Sequence, residues 1–257
     1  MTYFCTLCSG SSGNSAVYVS PERTVLIDAG KNTRFLTEQL RQLSLAPHDL
    51  TEILITHSHS DHISALPVLL KKTAARLVCS FDTYAALAAK LPAGVETLLF
   101  QPGETLTLGS LTVKTFATSH DVAGSCGYVV GQGDKAVAFC TDMGTMTGEI
   151  FETIRGCGAA VLEFNHDVEK LKRGCYPYPL KARILSDHGH LSNRFSAKVA
   201  VRLVQTGTKH LTLAHLSAEN NTPELALEAA WEELRAAGLE PQLAMAPRDV
   251  LGEPVML

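Results

Sequence analysis

The segment Thr56-His57-Ser58-His59-Ser60-Asp61-His62 sets four metal-competent side chains within six residues, at the end of the β-prone run Glu52–Thr56. Residues two apart in an extended segment share a side, so His57 and His59 can converge on one ion. Asp61 and His62 follow where the chain turns into a helix, and can face a second ion. A polar loop holding three histidines by accident is the plain alternative. Ten histidines in 257 residues make that accident improbable. A dinuclear site needs further ligands, including a bridging carboxylate. His120 follows Leu111–Ser119, Asp142 follows the apolar run Ala136–Cys140, and His215 follows Leu211–Ala214. Taken singly, each is an ordinary turn or capping residue. Three of them at strand ends, where open sheets collect the residues of a shared site, point to one centre.

The rest of the chain reads as one domain over residues 1–257, without a repeat period or a linker-like tract. Strands are expected at 4–8, 16–19, 24–28 and 52–56, then at 97–100, 105–108, 111–117, 127–131 and 136–140. Two more fall at 159–163 and 210–214. Helical spacing marks 35–43, 63–75, 82–91, 147–155, 193–205 and 223–237, with Asp82 as an N-cap and Gly238 as a C-cap. Segment 165–194 reads as irregular and polar. Strand-rich halves, each closed by helices, suggest two sheets sandwiched between helices. No stretch approaches the ~18 apolar residues of a membrane span, and the first residues lack a secretory pattern. Seven cysteines, an odd number, argue against a disulfide scaffold and for a reducing cytoplasm. Cys5 and Cys8 lie within a strand and lack a second pair, so they read as structural.

These residues resemble the metallo-β-lactamase fold superfamily across nearly the whole chain. The likeness rests on Asp28 in Val25-Leu26-Ile27-Asp28-Ala29-Gly30, on the His-x-His-x-Asp-His block, and on His120, Asp142 and His215 in that order. It implies an α/β, four-layer αββα sandwich. It further implies one metal held by His57, His59 and His120, a second held by Asp61, His62 and His215, and Asp142 bridging. Asp28 would hold the histidine loop in place rather than ligate. Within the superfamily the chain is similar to the YycJ/VicX/WalJ-like group of small bacterial hydrolases. Ser9-Gly10-Ser11-Ser12-Gly13-Asn14-Ser15, Glu163-Phe164-Asn165-His166-Asp167, Asp187-His188-Gly189-His190-Leu191-Ser192-Asn193 and His215–Asn221 carry that likeness. It implies 5′-to-3′ exonuclease activity on double-stranded DNA.

The expected chemistry is hydrolysis. Two divalent ions ~3.5–4 Å apart acidify a shared water and clamp the attacked oxygen. An all-imidazole and carboxylate set suits Zn, Mn or Fe. No cysteine occupies a ligand position, which departs from antibiotic-hydrolysing zinc β-lactamases. Asp61 and His190 are the candidate catalytic residues, with His190 as a proton donor to the leaving oxygen. Ser11, Asn14, Asn165, His166, His188 and His190 are candidate substrate-binding residues. The Gly/Ser loop 9–15 lacks the Lys-Ser/Thr of a P-loop, yet its amides and Asn14 can receive an anion.

A formal net charge of −4 argues against a wholly basic nucleic-acid surface. Its distribution is less even. Segment 166–194 carries Lys170, Lys172, Arg173, Lys181, Arg183 and Arg194 against Asp167, Glu169 and Asp187. This is either a solvated face or a wall that tracks phosphates beside the metals. Nucleic acid, DNA foremost, is therefore the expected substrate. The alternatives are a thioester or lactone hydrolase and a metal-bearing regulatory module without turnover.

Overall fold

In the computed structural model, which describes residues 1–257, most strands are buried along both faces, and that sets the layering. The first sheet contains β1 (Tyr3–Cys8), β2 (Ser15–Val19), β3 (Thr24–Ile27), β4 (Glu52–Leu54), β5 (Arg76–Ser80) and β6 (Thr97–Phe100). The second contains β7 (Thr105–Leu108), β8 (Leu111–Ala117), β9 (Cys126–Val130), β10 (Val137–Cys140), β11 (Ala159–Glu163), β12 (His210–Ala214) and β13 (Gln242–Met245). A last short strand, β14 (Val255–Met256), returns to pair with β1. Strand order is β14-β1-β2-β3-β4-β5-β6 in one sheet and β13-β12-β11-β10-β9-β8-β7 in the other. Both are mixed: β3 to β6 and β10 to β13 run parallel, and the remaining pairs are antiparallel.

Alternate residues of one strand serve different cores. Val25 and Ile27 pack between the sheets, while Leu26 points to the outer helices. Leu54 and Ile53 divide the same way. This is why the strands read as unbroken apolar runs rather than alternating ones. Phe4 meets Phe139, and Phe100 meets Tyr128, edge-on across the seam between the sheets. The outer layer of the first sheet is α1 (Thr33–Gln42), with α2 (Ser60–Ile63), α3 (Leu66–Leu69) and α4 (Phe81–Leu87). α5 (Gly148–Ile154), α8 (Asn193–Gln205) and α9 (Pro223–Ala236) cover the second sheet. Between β11 and α8 lie α6 (Val168–Arg173) and α7 (Tyr178–Ile184). The architecture is the expected αββα sandwich.

Several local expectations differ from the structure. Of the helix expected over 63–75 only the turn Leu66–Leu69 is helical, and it does not join the turn Ser60–Ile63 before it, because the carbonyls that would link the two are taken elsewhere. The Asp61 carbonyl accepts from the Asn14 amide, the His62 carbonyl accepts from the Ala29 amide, and the Ala65 amide donates to Ala29. Those bonds tie the histidine turn to the ends of its neighbours instead of extending a helix. They need Gly30: a Cβ there would lie 2.0 Å from the Asp61 carbonyl oxygen. Ser80, not Asp82, caps α4, its hydroxyl accepting from the Thr83 amide. Segment 165–194 contains α6, capped by Asp167, and α7, so it is only partly irregular. Strands β5, β13 and β14 had no expectation; the last two are short edge strands. No helix is long and apolar enough to cross a membrane.

Candidate metal centre

The site collects where strands of both sheets stop. Asp28 after β3, Asp142 after β10 and His215 after β12 all adopt left-handed backbone, with φ of 60°, 58° and 58°. Such geometry costs roughly 1–3 kcal/mol per non-glycine residue and persists only where the surroundings enforce it. Each turn swings one polar side chain into the same buried place.

Four overlapping groups of donor atoms result, and two of them are the expected triads. His57 Nε2 lies 3.1 Å from His59 Nδ1, which lies 3.2 Å from His120 Nε2. In the other triad, Asp61 Oδ2 is 3.5 Å from His62 Nε2 and 3.8 Å from His215 Nε2. Asp142 stands between them. Its Oδ1 is 3.8 Å from His120 Nε2 and 3.5 Å from His215 Nε2, and its Oδ2 is 3.3 Å from His62 Nε2. All seven residues singled out as ligands in the sequence thus meet at one point.

Two further carboxylates fix the imidazoles from behind. Asp28 accepts from the Thr56 amide at 2.8 Å and the Thr56 hydroxyl at 2.9 Å, and pairs with His62 Nδ1 at 2.7 Å. That turns His62 Nε2 toward the centre, where the Asn14 side-chain amide lies 3.1 Å from it. Glu163, fully buried at the end of β11, does the same for the other sheet. Its Oε1 lies 2.9 Å from His215 Nδ1 and 2.7 Å from His190 Nδ1, and its Oε2 accepts from the Met143 amide. Glu163 had no assigned role in the sequence reading. Its signals are a charge ending the otherwise apolar run Ala159–Leu162 and its place at the head of the Glu163-Phe164-Asn165-His166-Asp167 stretch.

The electrostatics call for cations. Burial, helped by the neighbouring His62, His120 and His59 imidazoles and opposed by Asp142, lowers His57 well below the ordinary imidazole range. Burial also opposes charge on His215, but Asp142, Asp61 and Glu163 outweigh it and lift the imidazole to about 10. Glu163, despite its own burial, is held down to about 2 by His190 and His215. Asp28, Asp61, Asp142 and Glu163 thus crowd negative charge into one largely buried place at the base of a cleft. Asp142 Oδ2 and His215 Nε2 are buried there without a hydrogen-bond partner. Orphaned donors of that kind, all nitrogen and oxygen, fit divalent metal ions.

The centre floors a cleft of about 300 Å³. Ser11, Asn165, His188 and His190, expected at the substrate, line it. Asn14 and His166 do not. Asn14 lies behind the centre, accepting from the Gly10 amide at 2.8 Å and donating to Asp61 Oδ2 at 3.2 Å, so it positions a ligand candidate. His166 is 1% exposed, both ring nitrogens lack a partner, and burial lowers it to about 4. The expected basic wall is also thinner than its composition. Lys170 donates to the Asn221 carbonyl, Lys172 pairs with Glu169, and Lys181 donates to the Lys172 and Gly174 carbonyls. Arg183 pairs with Asp121, next to His120. Of these six basic side chains, only Arg173 and Arg194 have neither an ion pair nor a hydrogen bond.

Fold and site together define the class: a metal-dependent hydrolase. A family model described as the beta-lactamase superfamily domain matches residues 23–216. The exodeoxyribonuclease YycJ of Bacillus anthracis is 36% identical over 239 residues, covering 92% of this chain and 90% of that protein. The exodeoxyribonuclease WalJ of Streptococcus pneumoniae is 37% identical over 240 residues, covering 92% and 89%. In fold, the metallo-β-lactamase fold protein YhfI of Bacillus subtilis superposes with a TM-score of 0.74 at 17% identity, over 99% of each chain. The chain belongs to the β-lactamase superfamily, in the group that includes the YycJ and WalJ proteins.

Proposed function

We propose that the protein is a dinuclear exodeoxyribonuclease working 5′ to 3′. In this assignment His57, His59 and His120 hold one divalent ion. Asp61, His62 and His215 hold the other, and Asp142 bridges; Zn, Mn or Fe suits the donors. The observation that carries the reading is the placement of Asp142, with one carboxylate facing both triads. The two full-length relatives, each named an exodeoxyribonuclease, support the substrate. A reducing cytoplasm is the proposed setting, since all seven cysteines are free thiols.

When bound, the ions supply an acidified water and charge stabilisation for phosphoryl transfer. The chain supplies the rest. Asp28 and Glu163 lock the tautomers of His62 and His215, so those ligands need no reorganisation. Asp61 orients the attacking water. His190, its Nδ1 committed to Glu163, presents Nε2 to the cleft and donates a proton to the leaving oxygen. Ser11 and Asn165 lie where they can hold the phosphate.

Metal-reconstituted protein, assayed on end-labelled duplex and single-stranded DNA and RNA with thioester and lactone controls, tests the reading. Stepwise release of nucleotides from DNA is expected, and Asp142→Ala abolishes it while lowering bound metal. Turnover confined to the thioester or lactone would replace the nuclease assignment. Full DNA activity in Asp142→Ala at normal metal content would remove the dinuclear one.

A further inference from the structure

The lining of the cleft is divided by chemistry. One part is the metal centre, with His59, Asp61, His120, Asp142 and His215. The other is apolar and comes from α7 and the turn before it. Leu180 and Ile184, four apart, present one side of α7 to the cleft, and half-buried Tyr176 stands beside them. The structure gives the Tyr176 hydroxyl no hydrogen-bond partner. Arg183 on the same side of α7 is tied to Asp121, so this helix is fastened to the loop that carries His120.

We infer that Tyr176, Leu180 and Ile184 form the subsite for the base of the nucleotide being released, and that this base enters unpaired. The inference rests on the nuclease reading above. A phosphodiester held at the ions carries its sugar and base within the same small cleft, so an apolar wall there is met by one of them. One aromatic ring with two aliphatic side chains contacts the face of a base and reads none of its edges. Recognition of that kind is independent of sequence, as stepwise degradation requires. Size sets the second half of the claim. About 300 Å³ lies at the bottom of the ~300–1,000 Å³ range that encloses one small-molecule-sized group. One nucleotide is of that order and a pair of nucleotides is about twice it, so the terminal nucleotide separates from its partner before the bond breaks.

The test uses metal-loaded enzyme and oligonucleotides whose 5′-terminal nucleotide is ordinary or abasic. Release of that first nucleotide by the wild type is expected to show about 5- to 150-fold lower kcat/KM on the abasic end, the worth of one stacked base. Tyr176→Ala loses a similar factor on the ordinary end and little more on the abasic one, since both changes remove the same contact. Tyr176→Phe keeps the discrimination, because the contact uses the ring face. A duplex whose terminal pair is mismatched is expected to release its first nucleotide faster than one ending in a G·C pair. Equal rates on ordinary and abasic ends, or independent losses in Tyr176→Ala, overturn the subsite and leave the nuclease reading standing. Equal rates on mismatched and G·C ends overturn the unpaired entry. A wild type inert on every DNA removes the nuclease reading, and the subsite with it.

Discussion

Replacing His166 with leucine separates a buried structural histidine from a cleft residue through the pH dependence of stability. His166 follows β11 beside the centre, its backbone carbonyl accepting from the Asn193 amide. Burial holds its imidazole down to about 4, against 6.5 for an ordinary histidine. Between those values the unfolded chain binds a proton that the folded chain refuses, so stability rises with pH across the window. The folded state keeps its full stability above about pH 6.5 and loses it as pH falls toward 4. Integrated from pH 7.5 to pH 5, this one group removes about 2 kcal/mol, and below pH 4 the loss levels off near 3 kcal/mol. Leucine cannot take up the proton and brings no unpaired nitrogen. Denaturant unfolding of both proteins, run side by side at each pH, cancels what the other titrating groups contribute. His166→Leu is expected to gain on the wild type by about 2 kcal/mol between pH 7.5 and pH 5. A difference that stays flat would mean His166 titrates normally, as a solvent-facing cleft residue would, and would refute the burial argument.

Glu163→Gln should retain the fold while costing ~10–100-fold in metal affinity or kcat, because two imidazoles lose the carboxylate that orients them; unchanged metal content and kcat would contradict its positioning role. Arg173→Glu should weaken DNA hydrolysis and reduce the salt slope by ~0.9 or more, whereas Lys172→Glu, whose partner is already Glu169, should do less; equal effects would restore the broad basic wall. A thiol reagent should find one reactive cysteine, Cys175, in the native protein and seven after denaturation, since the other six are buried. More than one fast-reacting thiol in the folded state would refute the packing around β1, β5, β9 and β10.

The candidate ligands that meet at the centre are legible in the sequence because of where strands put side chains. His57 and His59 are two apart in extended chain, and His120, Asp142 and His215 each stand just past an apolar run. A strand's end is marked by its last apolar residue, so the polar residue beyond it can be picked out without knowing which strands pair. Glu163 was harder to see: it ends its strand in the same way, but a single glutamate carries no spacing and its two histidine partners lie 27 and 52 residues away. The failure at 63–75 has a different cause. Leu66, Leu69 and Leu70 recur at helical spacing, yet just before them the backbone of Asp61, His62 and Ala65 pairs with Asn14 and Ala29. Such bonds run between distant segments and leave no trace in periodicity. His166 misled for a related reason, since a histidine beside subgroup motifs looks functional until its burial is known.

The division of the ligand set between the two sheets has a mechanical consequence. In the proposed dinuclear assignment, the first sheet gives His57 and His59 to one ion and Asp61 and His62 to the other. The second sheet gives one histidine to each and Asp142 to both. Neither sheet alone completes a coordination sphere, so each ion would act as a rivet through the seam where Phe4 meets Phe139. Free energy of metal binding would then resist the parting of the two halves more than the fraying of either one. Chelation should accordingly loosen hydrogen-exchange protection first along that seam, at strand ends that share no hydrogen-bonded ladder.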